Sequence, residues 1–227
     1  MKRILVVSLF LLSFFCCKQK PVLPEGEIPI TTSSNEALQL FSEGRALREN
    51  LKSPQAAVLF DKAIALDSNF AKAYLHRAFS GGGYKVFRGN LDKAVALVDK
   101  ISEGEKHEIL YAQANADNDG AKQKMHLEKM LELFPTDKRV HDIAGNYFYY
   151  NPQDYEKALM HYEKAVSLDP SFAPTYNSMG YLLMDMENYS EAETAFKKYI
   201  ELIPDEANPY DSYAEFLIEQ GRFDESI

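Results

Sequence analysis

Few side chains in this sequence have the types and spacing that catalysis or metal binding requires. The histidines are His76, His107, His126, His141 and His161. None of them forms a His-x-x-x-His pair, which would place two metal ligands on one face of a helix. Paired carboxylates such as Glu103 and Glu105 fall at a predicted helix start, where the helix dipole favours negative charge. We therefore predict no catalytic residue, no metal site, no cofactor and no enzymatic activity.

A glycine run at Gly81–Gly83 is the one segment that suggests phosphate binding. A phosphate-binding loop follows a strand and ends in Gly-Lys-Ser or Gly-Lys-Thr, and this run has neither feature. We interpret it as a flexible turn between helices.

Composition and charge indicate which class of molecule the protein can bind. Hydrophobic residues make up 46% of the 227 residues, which is enough for a substantial core. The formal net charge is -9, and no cluster of Lys and Arg follows residue 20. Because binding to nucleic acid phosphates requires such clusters, we predict no nucleic acid partner.

The two cysteines, Cys16 and Cys17, follow a short basic start and an apolar run. The run, Ile4–Phe15, is twelve residues long, shorter than the roughly 20 residues of a membrane-spanning helix, and is typical of a secretory signal peptide. A cysteine directly after such a run resembles a bacterial lipoprotein signal. The resemblance implies lipid attachment at Cys17, after the small Cys16, with Cys16 as second choice. An ordinary secretory signal with incidental cysteines is the alternative.

These features predict the domain organisation. Residues 1–16 are expected to be a signal peptide, and residues 17–33 a lipidated cysteine with an extended tether, because Pro21, Pro24 and Pro29 interrupt any periodicity there. Residues 34–227 are expected to form the folded part. The lipid would anchor it to a membrane of the bacterial cell envelope, with the outer membrane or the periplasmic side favoured.

Helical segments of similar sequence recur after residue 34. Three of them align, at Ala56–Asp67, Ala158–Pro170 and Ala192–Pro204. Each has an aromatic residue four positions after a small one, followed by apolar residues on the same helical face. Tyr162 and Phe196 are 34 residues apart, as are Pro170 and Pro204. A fixed period in this range indicates an architecture of stacked repeats.

The period and the residues that carry it resemble the tetratricopeptide repeat. The matching small residues in the first helix of each unit are Gly44, Ala78, Gly145, Gly180 and Ala214. A larger side chain there would push two closely crossing helices apart. The resemblance implies an all-α fold, a tetratricopeptide-type α-solenoid of stacked antiparallel helix pairs, with five units and an incomplete sixth.

By the same resemblance, the concave surface is lined by outward-pointing residues of the first helix of each unit. Carried onto this chain, the peptide-binding groove would contain Phe41, Arg45, Arg48, Asp142, Asn146, Tyr150, Asn177, Tyr181 and Asp185, extended by Phe79, Asp211 and Glu215. Asparagine would hold a peptide backbone, and tyrosine would pack against its side chains. The alternative is that these residues are solvated surface or contacts between units.

The function we predict is that of a membrane-anchored scaffold that binds a protein or peptide on its concave face. The alternative is that these repeats are the accessory region of a longer enzyme or sensor. That alternative is motivated by Gly221–Ile227, which resembles the opening of another helix at the point where the sequence stops.

Overall fold

The computed structural model describes residues 26–151 and 153–226, so the predicted signal peptide and Cys17 lie outside the described residues. Eleven α-helices and no strands occupy those ranges. The helices are α1 Asn35–Glu49, α2 Ser53–Leu66, α3 Ala71–Ala78, α4 Gly83–Val95, α5 Glu103–Ala116, α6 Gly120–Leu133, α7 Lys138–Tyr150, α8 Tyr155–Leu168, α9 Ala173–Asp185, α10 Tyr189–Leu202 and α11 Ala207–Glu219. Short 3-10 turns follow at Val98–Lys100 and Phe223–Glu225.

Neighbouring helices form five pairs, from α1 with α2 to α9 with α10, and α11 packs on the last pair. The turns within the pairs are short, so the two helices of each pair run antiparallel. Each pair also contacts the next one along the chain. The predicted fold class, an all-α solenoid of the tetratricopeptide type, is confirmed.

Glycines allow the two helices of a pair to approach closely. A Cβ atom added to Gly44 would lie 2.8 Å from Cε1 of Phe60, and one added to Gly180 would lie 2.7 Å from Cε1 of Phe196. Gly145 has an equally close aromatic neighbour in α8. Both phenylalanines are fully buried. The small and aromatic positions of the repeat therefore form one contact, in which the ring of the second helix packs onto the bare backbone of the first.

Of two capping boxes that the sequence predicts at helix starts, the structure contains one and lacks the other. The spacing of Ser102 and Glu105 predicts a capping box, and the structure contains both of its hydrogen bonds at the start of α5. The same spacing of Ser190 and Glu193 predicts a second capping box, but that prediction is wrong. The α10 helix begins at Tyr189, two residues earlier than a cap at Ser190 requires, so Ser190 lies inside its first turn and makes no cap.

The glycine run forms the turn between α3 and α4. Gly81, Gly82 and Gly83 have φ values of +87°, +101° and +76°, a region that other residues rarely adopt. The interpretation as a turn is confirmed. These three residues end α3 after eight residues, which leaves the second unit shorter on its inner side than the others.

Residues 26–33 differ from the predicted free tether. The Ile28 side chain is buried, and its N–H donates to Asp137 Oδ2 at 2.9 Å. Thr31 N–H donates to Glu105 Oε1 at 2.8 Å, and Thr32 Oγ1 donates to Asp67 Oδ2 at 2.7 Å. This segment contacts the start of α7 in the fourth unit, α5 in the third and the end of α2 in the first before α1 begins. A polar, proline-containing sequence suggested an extended chain, but carboxylates at the helix ends supply acceptors that dock it.

The first unit also contacts the fourth and fifth units. Arg139 in α7 donates to Glu49 at the end of α1 through two nitrogens, at 2.7 and 3.2 Å. Leu51, in the left-handed region at φ +63°, packs with Tyr199 and Ile203. The superhelix is therefore tightly wound, and the end of α1 closes part of its interior.

Candidate functional site

The odd-numbered helices share one side of the solenoid. Helix α3 contacts α5, and α9 contacts both α7 and α11. Residues of α1, α3, α5 and α7 line a common cleft. A surface whose consecutive helices converge on one cleft is concave, so this side is the inner face of the solenoid.

The cleft on the inner face has a volume of about 230 Å³. Its apolar lining includes Leu75, Phe79 and Ile143, and its polar lining includes Arg48, His76 and Glu108. The first three units contribute all of these side chains except Ile143, which comes from α7 of the fourth unit. Apolar walls with a few converging polar groups are the usual composition of a binding site.

Three buried polar atoms of this lining have no hydrogen-bond partner among the described residues: Arg48 Nε, His76 Nδ1 and Glu108 Oε2. Glu108 Oε2 is 2.8 Å from Lys72 Nζ, an ion pair that lacks hydrogen-bond alignment. Buried polar groups are nearly always hydrogen-bonded, because leaving one unpaired costs about 1–3 kcal/mol. Arg48 Nε and His76 Nδ1, which have no such ion pair, are the two atoms of this lining that a ligand or ordered water would satisfy.

The charges around the cleft are unevenly paired. Arg139 binds Glu49, and it also lies 3.1 Å from Glu27 Oε2. Burial alone would lower the pKa of Arg139, but the contact with Glu49 outweighs this effect and raises the pKa. Arg45 and Arg48, by contrast, have no carboxylate oxygen within 4.0 Å in the described part of the chain. Burial lowers the pKa of both of these guanidinium groups.

Asp142 and Asn146 form a hydrogen-bond network on α7. Thr175 Oγ1 donates to Asp142 Oδ1 at 2.6 Å, and Tyr162 Oη donates to Asn146 Oδ1 at 3.1 Å. Burial raises the pKa of Asp142 to about 6. Asp142 therefore connects the fourth unit to the fifth, Asn146 connects α7 to α8 of its own unit, and both side chains accept hydrogen bonds within the protein.

Phe41, which was predicted to line the groove, is not at the surface of the protein. Its side chain is fully buried, 5.7 Å from the Phe60 ring and 5.0 Å from the Phe70 ring. Phe60 of α2 and Phe70 just before α3 enclose it, so this position of α1 belongs to the core. Only the neighbouring Arg45 extends past it, with its guanidinium 5.8 Å from the Phe41 ring centre.

The other predicted residues lie further along the inner face. Tyr150 is 68% exposed, and Asp185 is also exposed. Tyr181 donates to Glu215 at 2.7 Å, and Asp185 accepts from Tyr149 at 2.6 Å. Asn177 Oδ1 is buried and lacks a hydrogen-bond partner among the described residues. The structure thus places Arg48 and Phe79 at the cleft and Phe41 in the core, and the other predicted residues lie outside the cleft lining.

Two residues of the cleft, His76 and Glu108, did not stand out in the sequence as groove residues. His76 is 4% exposed and sits in α3, a short helix that is otherwise nearly all buried. The sequence of α3 also contains Lys72 and Arg77, so nothing local marks His76 as a buried residue. Glu108 offered no signal either, because its position at the cleft depends on how the units stack.

Neither a metal site nor a membrane span is found in residues 26–151 and 153–226. These ranges contain no group of three or more His, Cys, Asp or Glu side chains arranged to hold a metal ion. No helix within them is long and apolar enough to cross a bilayer.

Comparison with known families identifies the repeats in the second half of the chain. Residues 147–187 match the model described as "TPR repeat", and residues 173–206 match the one described as "Tetratricopeptide repeat". Comparison with curated proteins gave no match.

Solved structures share the fold at low sequence identity. The chain resembles a chain in the crystal structure of the APC/C hetero-tetramer Cut9-Hcn1, with 19% identity and a TM-score of 0.56, covering 82% of this chain and 37% of that one. It therefore spans just over a third of that relative's length. It also resembles TTC0263, a thermophilic TPR protein in Thermus thermophilus, with 18% identity and a TM-score of 0.54, covering 80% of this chain and 99% of that one. Residues 147–206 therefore consist of tetratricopeptide repeats, and the described part of the chain is an α-solenoid of the tetratricopeptide type.

Proposed function

We propose that this protein is a scaffold of the bacterial cell envelope, anchored to a membrane by a lipid, which binds a peptide segment of a partner protein on its inner face. Tetratricopeptide repeats generally mediate protein–protein interactions. The observation that carries the proposal is the inner cleft, where two buried polar atoms from neighbouring units, Arg48 Nε and His76 Nδ1, lack hydrogen-bond partners among the described residues. A peptide supplies both hydrogen-bond donors and acceptors, as these atoms require.

Photo-crosslinking in intact cells tests the inner face as the binding site. Benzoylphenylalanine would replace Phe79, which lines the cleft and is 44% exposed, or Tyr150. Matched control positions are Val58 and Met160, on the second helices of the first and fourth units, 52% and 53% exposed. We expect crosslinks to the same partner from Phe79 and Tyr150 and none from the controls. Crosslinks from Val58 and Met160 alone would place binding on the outer helices and contradict the proposal.

The membrane anchor rests on the signal pattern that ends at Cys17. Two acyl chains or more are needed for stable anchoring, and a lipoprotein cysteine would carry them. Metabolic labelling with a fatty-acid analogue should mark the protein, and Cys17→Ser should abolish the label. Loss of the label in Cys16→Ser, with retention in Cys17→Ser, would move the site by one residue. No label in the unaltered protein would refute the anchor without affecting the inner-face binding.

A further inference from the structure

We propose that the inner cleft binds an acidic side chain of the partner peptide, with its carboxylate on Arg48 and its methylene groups against the apolar wall. This inference rests on the proposed function and specifies the chemistry of the peptide. The partner's recognition segment would therefore carry a glutamate or aspartate.

The unpaired charge of Arg48 is the first reason. Moving a charged group out of water costs several kcal/mol unless an opposite charge or hydrogen bonds compensate. Arg139, in the same region, has two carboxylates, whereas Arg48 has none within 4.0 Å among the residues described. Its Nε–H also lacks an acceptor. A carboxylate would supply both the missing charge and the missing acceptor, and charge-assisted bonds to arginine are the strongest that side chains form.

His76 supplies a second polar contact beside Arg48. The imidazole ring is held between the rings of Phe41 and Phe60, at centroid distances of 4.9 and 5.5 Å. Burial, together with the nearby Arg48 charge, lowers the pKa of His76 well below its usual value, so the ring is neutral. In the tautomer protonated at Nδ1, this unpaired nitrogen donates to the same carboxylate. The packed phenylalanines keep the ring in place before a ligand arrives.

Glu108 adds an acceptor to the same cleft. Its Oε2 lies 2.8 Å from Lys72 Nζ, so its charge is offset by a buried ammonium group. A peptide carries backbone N–H groups, one of which can donate to Glu108 while the acidic side chain accepts from Arg48. The lining thus complements a donor and an acceptor located close together.

The size of the cleft favours a side chain over a whole small molecule. Its volume of about 230 Å³ is below the roughly 300–1,000 Å³ of ordinary small-molecule pockets. The apolar wall formed by Leu75 and Ile143 suits the methylene groups that precede a side-chain carboxylate. A glutamate can reach Arg48 on this stem while the peptide backbone stays at the cleft mouth, near Phe79. A chain-terminal carboxylate has no such stem and would need the backbone itself to enter.

Two matched peptides test the proposal. The probes are Ac-Gly-Leu-Glu-Gly-NH2 and its neutral isostere Ac-Gly-Leu-Gln-Gly-NH2, titrated into the protein and followed by NMR, including the Arg48 Nε–H signal. We expect the glutamate peptide to bind at least about tenfold more tightly, since one charge-assisted contact separates the two. In Arg48→Gln the two peptides should bind equally. The control variant Arg88→Gln, which removes an arginine that pairs with Asp92 and Asp117 outside the cleft, should keep the preference.

Several outcomes would overturn the proposal. One is equal binding of the two peptides to the unaltered protein, and another is a preference that survives in Arg48→Gln. Binding of Ac-Gly-Gly-Leu with a free carboxylate, without any preference for glutamate, would assign the cleft to a chain terminus. If Arg48→Gln does not fold, the Arg48 Nε–H signal of the unaltered protein decides, because it must shift with the glutamate peptide alone. A crosslinked partner at Phe79 without a glutamate preference would leave the proposed function intact and remove only this inference.

Discussion

Replacing Gly180 by alanine tests whether the close contact between paired helices stabilises the fold. The new Cβ would lie 2.7, 2.8 and 2.9 Å from three carbons of the Phe196 ring, well inside the optimal separation of about 3.5–4.0 Å. Phe196 cannot easily move, since its fully buried ring packs against Tyr181 at 5.2 Å and Phe216 at 5.7 Å. Overpacking of this kind typically costs about 1–3 kcal/mol. The better helix propensity of alanine returns about 1 kcal/mol.

Gly89→Ala is the matched control. Gly89 lies inside α4, is exposed, and has no atom within 4 Å of an added Cβ. Only the propensity term applies there, so this variant should be more stable than the unaltered protein by about 0.5–1 kcal/mol. Subtracting one variant from the other removes the propensity term and leaves a steric difference of about 1–3 kcal/mol.

Thermal and urea unfolding of both variants measure this difference. For a chain of this size, 1 kcal/mol shifts Tm by about 2–4 °C, so Gly180→Ala should melt below Gly89→Ala by about 2–12 °C. If Gly180→Ala is stabilised as much as Gly89→Ala, the helices can separate without cost. The packing argument for all the equivalent glycines would then be wrong.

Two further predictions concern buried charge. Burial lowers the pKa of His161 to about 4, whereas a histidine in the unfolded chain has a pKa of about 6.5. The unfolded chain therefore takes up the proton first as pH falls. The stability that depends on the neutral ring is complete above pH 6.5 and is lost as pH falls towards 4. His161→Gln should flatten the dependence of the urea midpoint on pH in that window, and an unchanged slope would assign the loss to other groups. Arg139→Met leaves Glu49 unpaired and should lower stability by up to about 3–5 kcal/mol. The exposed control Arg88→Met should cause no measurable change, and equal effects of the two variants would contradict a structural role for the contact between the first and fourth units.

The repeat architecture follows from local patterns in the sequence. The 34-residue interval between Tyr162 and Phe196, with a glycine or alanine in each preceding helix, predicts paired helices because both features arise within one unit. The cap at Ser102 and the turn at Gly81–Gly83 are predictable for the same reason. Each depends on residues a few positions apart, whose geometry the backbone determines.

The inner cleft could not be predicted in the same way. Its chemistry depends on Arg48, His76 and Glu108, which come from three different units, and their distances depend on the superhelical winding. The same winding brings Arg139 to Glu49. Phe41, which the repeat resemblance placed on the open surface, is buried by Phe60 and Phe70. A small change in the rotation of each unit accumulates along the stack and alters all of these contacts. The sequence by itself therefore determined the helices and their pairing, whereas only the tertiary structure decided which polar side chains share a cleft, because that depends on the sum of many small rotations between units.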